Sequence, residues 1–388
     1  MSDVPDTSHQ PNDGTALLGD RYSRRNYPSH TQDGNPPGRW IALDESGWDG
    51  DQLHGGDRSR YLVIGSVAIS DNDAAGIVET LRREARIQAP ELKFAKSFTA
   101  QSHASRRQAL KELLAPKGPL EGRASVYVVD KHYFVVSKLI DLFVEERAHA
   151  NSVDIRNTGV VRQLARTLFE EGPRALGSSS FAHLLTTTVA FASKKNRDGQ
   201  KVTVEEFFDV VDAAWARSYR RKVTDVLGLL RSTRSEASAY LRDLQEGRMA
   251  EALEPLVPCI VAAIRNWSER IGKLNVLADD QRALTDDQLD LMSAELRGLG
   301  HPDFRYLMTG VQLGELVRGQ SKSHPSLQLA DLISGAGFAV AKRHEGEPTL
   351  AGDDLYLAII PLIDPASMLP HDAPERLAQP GQPPARSS

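Results

Sequence analysis

The sequence predicts an α/β protein with a mixed sheet flanked by helices and a large all-helical insertion. Short apolar runs that stop at acidic turns predict buried strands. Apolar residues at helical spacing fill most of the chain between 133 and 271. A late segment that opens at Pro325 is apolar on nearly all sides, which is typical of a buried helix.

The first half of the core is predicted to contain a hairpin, two helices and a third strand. Its predicted strands are 40–43, 61–69 and 124–129, and its predicted helices are 71–88 and 103–114. The first two strands are expected to form an antiparallel hairpin with a long loop. Pro90 ends the first helix because proline cannot continue a helical hydrogen-bond ladder.

The second half of the core is predicted to resume the sheet after the insertion. Residues 273–277 predict a short strand and 286–296 a helix. The segment 304–317 is ambiguous, and a strand is expected over 311–317. The insertion itself shows breaks at 172–173, 177–180 and 197–199, where glycine, proline and serine interrupt the helical pattern.

Both ends of the chain lack the apolar residues that a folded core requires. Residues 1–38 are rich in Ser, Asp, Asn, Gly and Pro, and residues 371–388 are similar, so both are predicted to be disordered tails. Between them lie a first core segment (39–132), the helical insertion (133–271) and a second core segment (272–370).

Composition restricts the class of protein. The chain has 388 residues and a net charge of -5, which argues against a basic surface for indiscriminate nucleic-acid binding but allows a local basic groove. The single cysteine, Cys259, cannot form an internal disulfide or a thiolate zinc cluster. No apolar run is long enough to cross a bilayer, so a soluble cytoplasmic protein without a membrane partner is expected.

Acidic residues stand at the ends of several predicted core elements. They are Asp44, Glu91, Asp130, Asp279 or Asp280, and Asp331. Carboxylates are the ligands that Mg²⁺ and Mn²⁺ prefer, and several of them could hold two ions about 4 Å apart. Asp331 is the most informative after Asp44, because a carboxylate on an apolar helix is costly to bury unless it is paired or binds a cation. The alternative is that Asp331 caps a backbone amide or pairs with an internal arginine.

Four motifs carry these acids: Asp44-Glu45-Ser46-Gly47, Glu91-Leu92-Lys93, Asp130-Lys131 and Leu327-Gln328-Leu329-Ala330-Asp331-Leu332, which together bracket residues 40–343. They resemble the domain of unknown function 3800 family, whose members have an RNase H-like fold. The resemblance implies an RNase H-like core in which Asp44 and Asp331 are metal ligands. It implies Glu91 and Asp130 as further catalytic ligands, with Asp279 and Asp280 as rivals to Asp130. The long helical stretch between Asp130 and Asp279 is expected to be an insertion into this core, and the resemblance does not cover it.

The resemblance and the carboxylates together predict a Mg²⁺- or Mn²⁺-dependent nuclease that hydrolyses DNA or RNA, and a role in defence against foreign nucleic acid is one expectation. Lys93 and Lys131 would contact phosphate or substrate. Two alternatives stay open: a catalytically inactive RNase H-like scaffold whose insertion binds a protein or nucleic acid, and a hydrolase of small phosphate esters. Formation of a homo-oligomer is also left open.

The densest basic cluster lies in the insertion, at 217–222 together with 194–197. It could follow a phosphate backbone while Tyr219 stacks on a base. The favoured alternative is a solvated helix face whose cations pair with Glu205, Glu206 and Asp225. His183 and His324 lack a spaced partner and are not expected to bind metal.

Overall fold

The computed structural model describes residues 39–50, 53, 59–155, 158–193, 202–246, 253–281, 284–297, 311–344 and 349–371. The predicted disordered tails therefore lie outside the described residues, apart from position 371, and so does the basic stretch 194–197. Among the helices described, none is long and apolar enough to cross a membrane.

Five strands form one mixed sheet in the order β3-β2-β1-β4-β5. The strands are β1 (Arg39–Ser46), β2 (Tyr61–Ala68), β3 (Ala124–Asp130), β4 (Leu274–Asp279) and β5 (Leu313–Gly319). β2 pairs antiparallel with both β1 and β3, whereas β4 pairs parallel with both β1 and β5. The predicted hairpin and mixed sheet are confirmed, and the parallel pairing brings the carboxyl ends of β1 and β4 side by side.

Three helices connect the strands of the first core segment. They are α1 (Asp71–Glu84), α2 (Phe94–Ser97) and α3 (Ala104–Leu114). The Ser70 side chain caps α1 by accepting a hydrogen bond from the Asp73 backbone amide. α2 was not foreseen, because four residues are too few for a periodic apolar pattern.

A helical insertion separates β3 from β4, as predicted. It contains α4 (Lys131–Leu139), a π-helical stretch (Ile140–Glu145), α5 (Glu146–Ala150), α6 (Val160–Leu176), α7 (Ser178–Ala192), α8 (Val204–Arg217), α9 (Arg221–Arg231), α10 (Arg234–Gln245) and α11 (Leu256–Ile271). Aromatic rings fill its centre, where Phe191 stacks on Phe207 with their centroids 4.6 Å apart. The break predicted at 172–173 is wrong: α6 runs through Gly172 and Pro173 and ends one turn later.

The second core segment adds α12 (Asp286–Leu296), α13 (Pro325–His344) and α14 (Leu350–Ile359). The strand expected at 311–317 begins and ends two residues later in the structure, and the helix expected at 286–296 has the predicted bounds. α14 was not predicted.

Helices cover both faces of the sheet, and neighbouring residues of β2 show which helix lies where. At Gly65 an added Cβ would collide with the Ser334 amide nitrogen and the Ala330 carbonyl oxygen of α13. The next side chain, Ser66, points the other way and accepts a 2.8 Å hydrogen bond from Trp267 Nε1 of α11. α13 therefore packs directly on the face to which Gly65 belongs, and glycine is what permits that close approach.

Candidate metal centre

Two aspartates lie side by side at the carboxyl ends of parallel strands. Leu43 of β1 pairs with Ala278 of β4, so the next residues, Asp44 and Asp279, are neighbours across the two strands. Asp44 also pairs with Gly65, whose missing side chain would point at α13. Since residues that pair across strands share a face, both carboxylates lie on the α13 side of the sheet.

α13 supplies a third aspartate to the same place. One carboxylate oxygen of Asp331, Oδ2, accepts a 2.6 Å hydrogen bond from the Phe94 amide. The other, Oδ1, lies 3.3 Å from Lys93 Nζ. A 3.1 Å hydrogen bond between the hydroxyls of Ser46 and Ser334 ties the end of β1 to the same stretch of α13. Asp44 and Asp331, far apart in sequence, thus meet on one side of the sheet.

The ammonium group of Lys93 lies among these acids. Besides Asp331, it lies 3.7 Å from Glu91 Oε1 and 3.9 Å from Asp279 Oδ2. About a quarter of its side chain, 26%, remains exposed. Burial alone would lower the pKa of Lys93, but attraction to Asp331, Asp44 and Asp279 outweighs burial and raises it. Lys93 is therefore a stable positive charge that neutralises part of the cluster.

The three aspartates are electrostatically strained. Burial raises the pKa of Asp44 well above its usual range, and repulsion from Glu45, Asp279 and Asp331 adds to the shift. Burial likewise raises the pKa of Asp279 and of Asp331, although Lys93 partly offsets it for both. Crowded carboxylates with raised pKa values gain most from a bound cation, which replaces repulsion with attraction.

Glu45 belongs to the opposite face, because successive strand residues alternate. It accepts a 2.7 Å hydrogen bond from Gln281 Nε2. Burial, with repulsion from Asp279, raises its pKa to about 7. Sequence reasoning did not single out Glu45 as a perturbed acid, although the alternation of the Asp44-Glu45 pair already separates the two side chains.

Hydrogen bonds fix the Glu91-Leu92-Lys93 segment against α13. Gln328 Oε1 accepts from the Leu92 amide at 3.0 Å, and Gln328 Nε2 donates to the Ser321 carbonyl at 2.8 Å. The Ser321 hydroxyl donates to Glu91 Oε1. Glu91 and Lys93 are therefore held beside Asp331 as the sequence motifs suggested, and Gln328 is the residue that positions them.

The sequence patterns did not predict the pairing of His324, just before α13, with Asp71, at the start of α1. His324 Nδ1 lies 2.7 Å from Asp71 Oδ2, and Asp71 Oδ1 accepts a 3.1 Å hydrogen bond from the Ser326 amide. Burial alone would raise the pKa of Asp71, but these hydrogen bonds lower it. The His324 ring lies against Gly319, the strand partner of Asp279. Asp71 and His324 are far apart in the sequence, so no spacing signal links them.

Asp130 and Lys131 lie apart from this cluster, and each is paired with an oppositely charged side chain. Asp130 forms an ion pair with Arg60 Nη2 at 2.5 Å and caps α4 by accepting from the His132 and Tyr133 amides. These contacts outweigh burial and lower its pKa. Lys131 is buried and pairs with Asp49 Oδ2 at 2.7 Å.

The strand register gives the reason for this separation. Gly65 pairs with both Asp44 and Val126, and Asp130 lies four residues beyond Val126. From strand spacing and rise, the Cα atoms of Asp44 and Asp130 are roughly 16 Å apart. Asp279, on the strand next to β1, therefore lies beside Asp44, whereas Asp130 does not. Its rival Asp280 instead faces Arg318 Nη1 at 3.6 Å.

Within the described parts of the chain, no group of three or more His, Cys, Asp or Glu side chains is arranged so that it could hold a metal ion as it stands. The acids surround the ammonium of Lys93 instead. Their oxygen donors still match the chemistry of Mg²⁺ and Mn²⁺, and they come from three core elements and one fixed loop.

Comparison with family models, with curated proteins and with solved structures found no match to this chain. The resemblance to the domain of unknown function 3800 family therefore stays a prediction.

Proposed function

We propose that the chain is a nuclease that depends on Mg²⁺ or Mn²⁺ and hydrolyses phosphodiester bonds in DNA or RNA. The observation that carries this proposal is the meeting of Asp44, Asp279 and Asp331, from two strand ends and a buried helix, with their pKa values all raised. Structural carboxylates are usually paired so that their pKa falls, as Asp130 is paired here. Acids held together against repulsion are more typical of a functional site.

Asp44, Asp279 and Asp331 would hold the metal, and Glu91 is close enough to Lys93 to serve as a further ligand. A bound divalent ion would supply an activated water and stabilise the charge that develops on the phosphate oxygens. The chain's own residues set the frame for this chemistry. The Phe94 amide orients Asp331, and Gln328 holds the segment that carries Glu91 and Lys93.

Lys93 has two roles in this proposal. Without metal, its ammonium group neutralises part of the acidic cluster, which would otherwise repel itself. With metal bound, the same flexible side chain would be displaced toward solvent, where it can contact a substrate phosphate as a point charge. Its partial exposure leaves room for this movement.

The order of the acidic positions also supports an RNase H-like core for this five-stranded sheet. The first strand carries Asp44, and the late helix α13 carries Asp331, as the resemblance implies. Asp279, at the end of the strand beside β1, would serve as the intermediate ligand.

The test is cleavage of single- and double-stranded DNA and RNA with added Mn²⁺ by the wild type, by Asp44→Asn and by Asp331→Asn. Both variants should lose cleavage by at least a hundredfold while keeping the wild-type circular dichroism spectrum. Asp290→Asn is the matched control, because Asp290 is an exposed carboxylate on α12. Unchanged cleavage by both Asp44→Asn and Asp331→Asn would show that these aspartates do not form a nuclease site.

A second function is favoured by one specific observation, the pairing of Lys93 with three carboxylates. In this alternative the core is an inactive RNase H-like scaffold, and the helical insertion binds a partner. The ion pairs of Lys93 are then permanent, because no metal displaces them. Calorimetric titration with Mn²⁺ separates the two functions. Binding that is lost in Asp44→Asn supports the nuclease, whereas no heat of binding in the wild type supports the scaffold.

A further inference from the structure

The turn between α8 and α9 concentrates positive charge at one corner of the insertion. We call residues 217–222 the basic corner. Its cations are Arg217, Arg220, Arg221 and Lys222, and Tyr219 stands between them. Arg221 and Lys222 project into solvent, with 94% and 76% of their side chains exposed. This local charge contrasts with the net charge of -5 of the whole chain.

Nearby acids neutralise this corner only weakly. Glu171 is shared by Arg220 at 3.7 Å and Lys222 at 3.6 Å. Asp225 lies 4.0 Å from Arg221, at the limit of an ion pair. Exposed pairs of this length contribute little and are readily exchanged for another anion.

The acids expected from the sequence to pair with these cations, Glu205, Glu206 and Asp225, form fewer ion pairs with the basic corner than predicted. Glu206 accepts from the Thr203 amide at 2.8 Å and closes the capping box at the start of α8, so it serves its own helix. Of the three expected acids, only Asp225 forms an ion pair with the basic corner in the described part of the chain.

Tyr219 presents an aromatic ring among these cations. It is 74% exposed, although an aromatic side chain would ordinarily be drawn toward a core. Its hydroxyl donates to the Arg174 carbonyl oxygen, and the Arg220 guanidinium lies 5.8 Å from the ring centroid. The ring is therefore held in place at the surface, and little conformational entropy remains to be lost when a planar group stacks on it.

The backbone of the corner is also fixed. The Thr224 hydroxyl lies 2.9 Å from the Ser218 hydroxyl and 3.0 Å from the Arg220 carbonyl oxygen. Within the described residues, the buried Nε of Arg220 has no hydrogen-bond acceptor. The corner thus combines a hydrogen-bonded turn with an exposed aromatic ring.

We propose that the basic corner binds single-stranded nucleic acid. Its cations would follow backbone phosphates while one base stacks on Tyr219. An aromatic ring beside planar guanidinium groups favours this partner over an acidic peptide, which offers no flat face to the ring. An anionic membrane is disfavoured because Trp215, the other partly exposed aromatic residue near the corner in sequence, has the Arg231 guanidinium 4.0 Å from its ring centroid and so offers little free apolar surface. The inference goes beyond the proposed hydrolysis, because binding here needs no metal.

The experiment is fluorescence anisotropy with a fluorescein-labelled 20-nucleotide oligo-dT in buffer containing EDTA, using the full chain. Arg220→Ala, Arg221→Ala and Lys222→Ala are combined in one variant. The matched control combines Arg83→Ala, Lys111→Ala and Lys273→Ala, which removes the same charge from exposed or half-buried positions whose side chains form no hydrogen bond or ion pair with the described residues. Circular dichroism checks that every variant is folded.

The corner variant should bind at least tenfold more weakly than the control at 100 mM salt. Its plot of log affinity against log salt should be shallower by roughly 2, since each phosphate contact to a single strand contributes about 0.7 to the slope. Tyr219→Ala should weaken binding roughly tenfold, and Tyr219→Phe should restore most of it, because stacking requires the ring and not the hydroxyl.

Two outcomes would overturn the inference: equal affinity of the corner and control variants, or absence of oligo-dT binding by the wild type. Binding of phosphatidylserine vesicles or of poly-glutamate through the same residues, without oligo-dT binding, would reassign the corner to a membrane or an acidic protein. Because the buffer contains EDTA, oligo-dT binding is measured without the metal on which the proposed cleavage depends. Failure of the nuclease proposal and failure of this inference are therefore distinguishable.

Discussion

Replacing Lys93 by methionine distinguishes a metal site from a closed ion-pair network. Lys93 Nζ lies within 4 Å of oxygens from Glu91, Asp279 and Asp331, at 3.7, 3.9 and 3.3 Å. At an effective dielectric constant near 20, charges at this separation interact with about 4 kcal/mol. Because Lys93 is a quarter exposed, solvent screening reduces each interaction, and removing the charge should destabilise the metal-free protein by about 2 kcal/mol.

The same substitution should strengthen metal binding. A divalent ion bound by these acids would be repelled by the ammonium group, and the Lys93→Met variant lacks that repulsion. A gain of roughly 1.4 kcal/mol corresponds to tenfold tighter binding. Thermal unfolding with and without Mn²⁺, and calorimetric titration of Mn²⁺, measure the two effects on the same samples.

The expected pattern is a lower melting temperature for Lys93→Met without metal and a larger rise on addition of Mn²⁺ than in the wild type. Lys93→Arg keeps the charge and should behave more like the wild type. Lys96→Met removes an exposed lysine one turn away and should change neither measurement. If Lys93→Met is destabilised and Mn²⁺ restores nothing, the acids serve only the ion pairs and the reasoning is refuted.

Three further substitutions test the frame of the site. Gly65→Ala should lower the free energy of unfolding by about 3 kcal/mol or more, because the new Cβ meets the backbone of α13. The control is Gly76→Ala on α1, where an added Cβ meets open space, and it should be neutral or stabilising by up to about 1 kcal/mol. Equal effects of the two substitutions in urea unfolding would contradict the close packing of α13 on Gly65. Asp130→Asn should be destabilising by about 3 kcal/mol because it leaves Arg60 without its charged partner. The pKa of Asp130 is lowered in the folded state, so its contribution to stability is present at neutral pH and is lost as the pH falls below about 4. The free energy of unfolding of Asp130→Asn should therefore depend less on pH in the acid range than that of the wild type. A loss of cleavage per folded molecule would show that Asp130 belongs to the catalytic site. Asp71→Asn should lower the free energy of unfolding by about 1 kcal/mol, because Asp71 accepts from the Ser326 amide and hydroxyl at the start of α13; an unchanged melting temperature would show that this cap contributes nothing.

Much of the frame could be predicted because local patterns specify it. Apolar runs that end at Asp44, Asp130 and Asp279 correspond to β1, β3 and β4. The apolar surroundings of Asp331 correctly indicated a buried helix with a carboxylate that needs a partner. The helical insertion was visible from periodicity alone.

The rest depends on strand order and on loops, which local patterns do not determine. Asp130 and Asp279 both end buried strands, and only the register shows that Asp279 lies beside Asp44 while Asp130 does not. The pairing of Lys93 with three acids could not be predicted, because its loop is held against α13 by hydrogen bonds that the Leu92 and Phe94 amides donate to Gln328 and Asp331. Of the alternatives weighed for Asp331, amide capping is observed together with an ion pair to Lys93 rather than to an arginine.

Anomalous diffraction from crystals grown with MnCl₂ tests the proposed centre most directly. The account predicts a manganese peak bounded by oxygens of Asp44, Asp279 and Asp331, with the Lys93 ammonium displaced from its position 3.3 Å from Asp331 Oδ1. Crystals that hold manganese elsewhere, or none at all, while Lys93 stays paired with the three carboxylates, would contradict it.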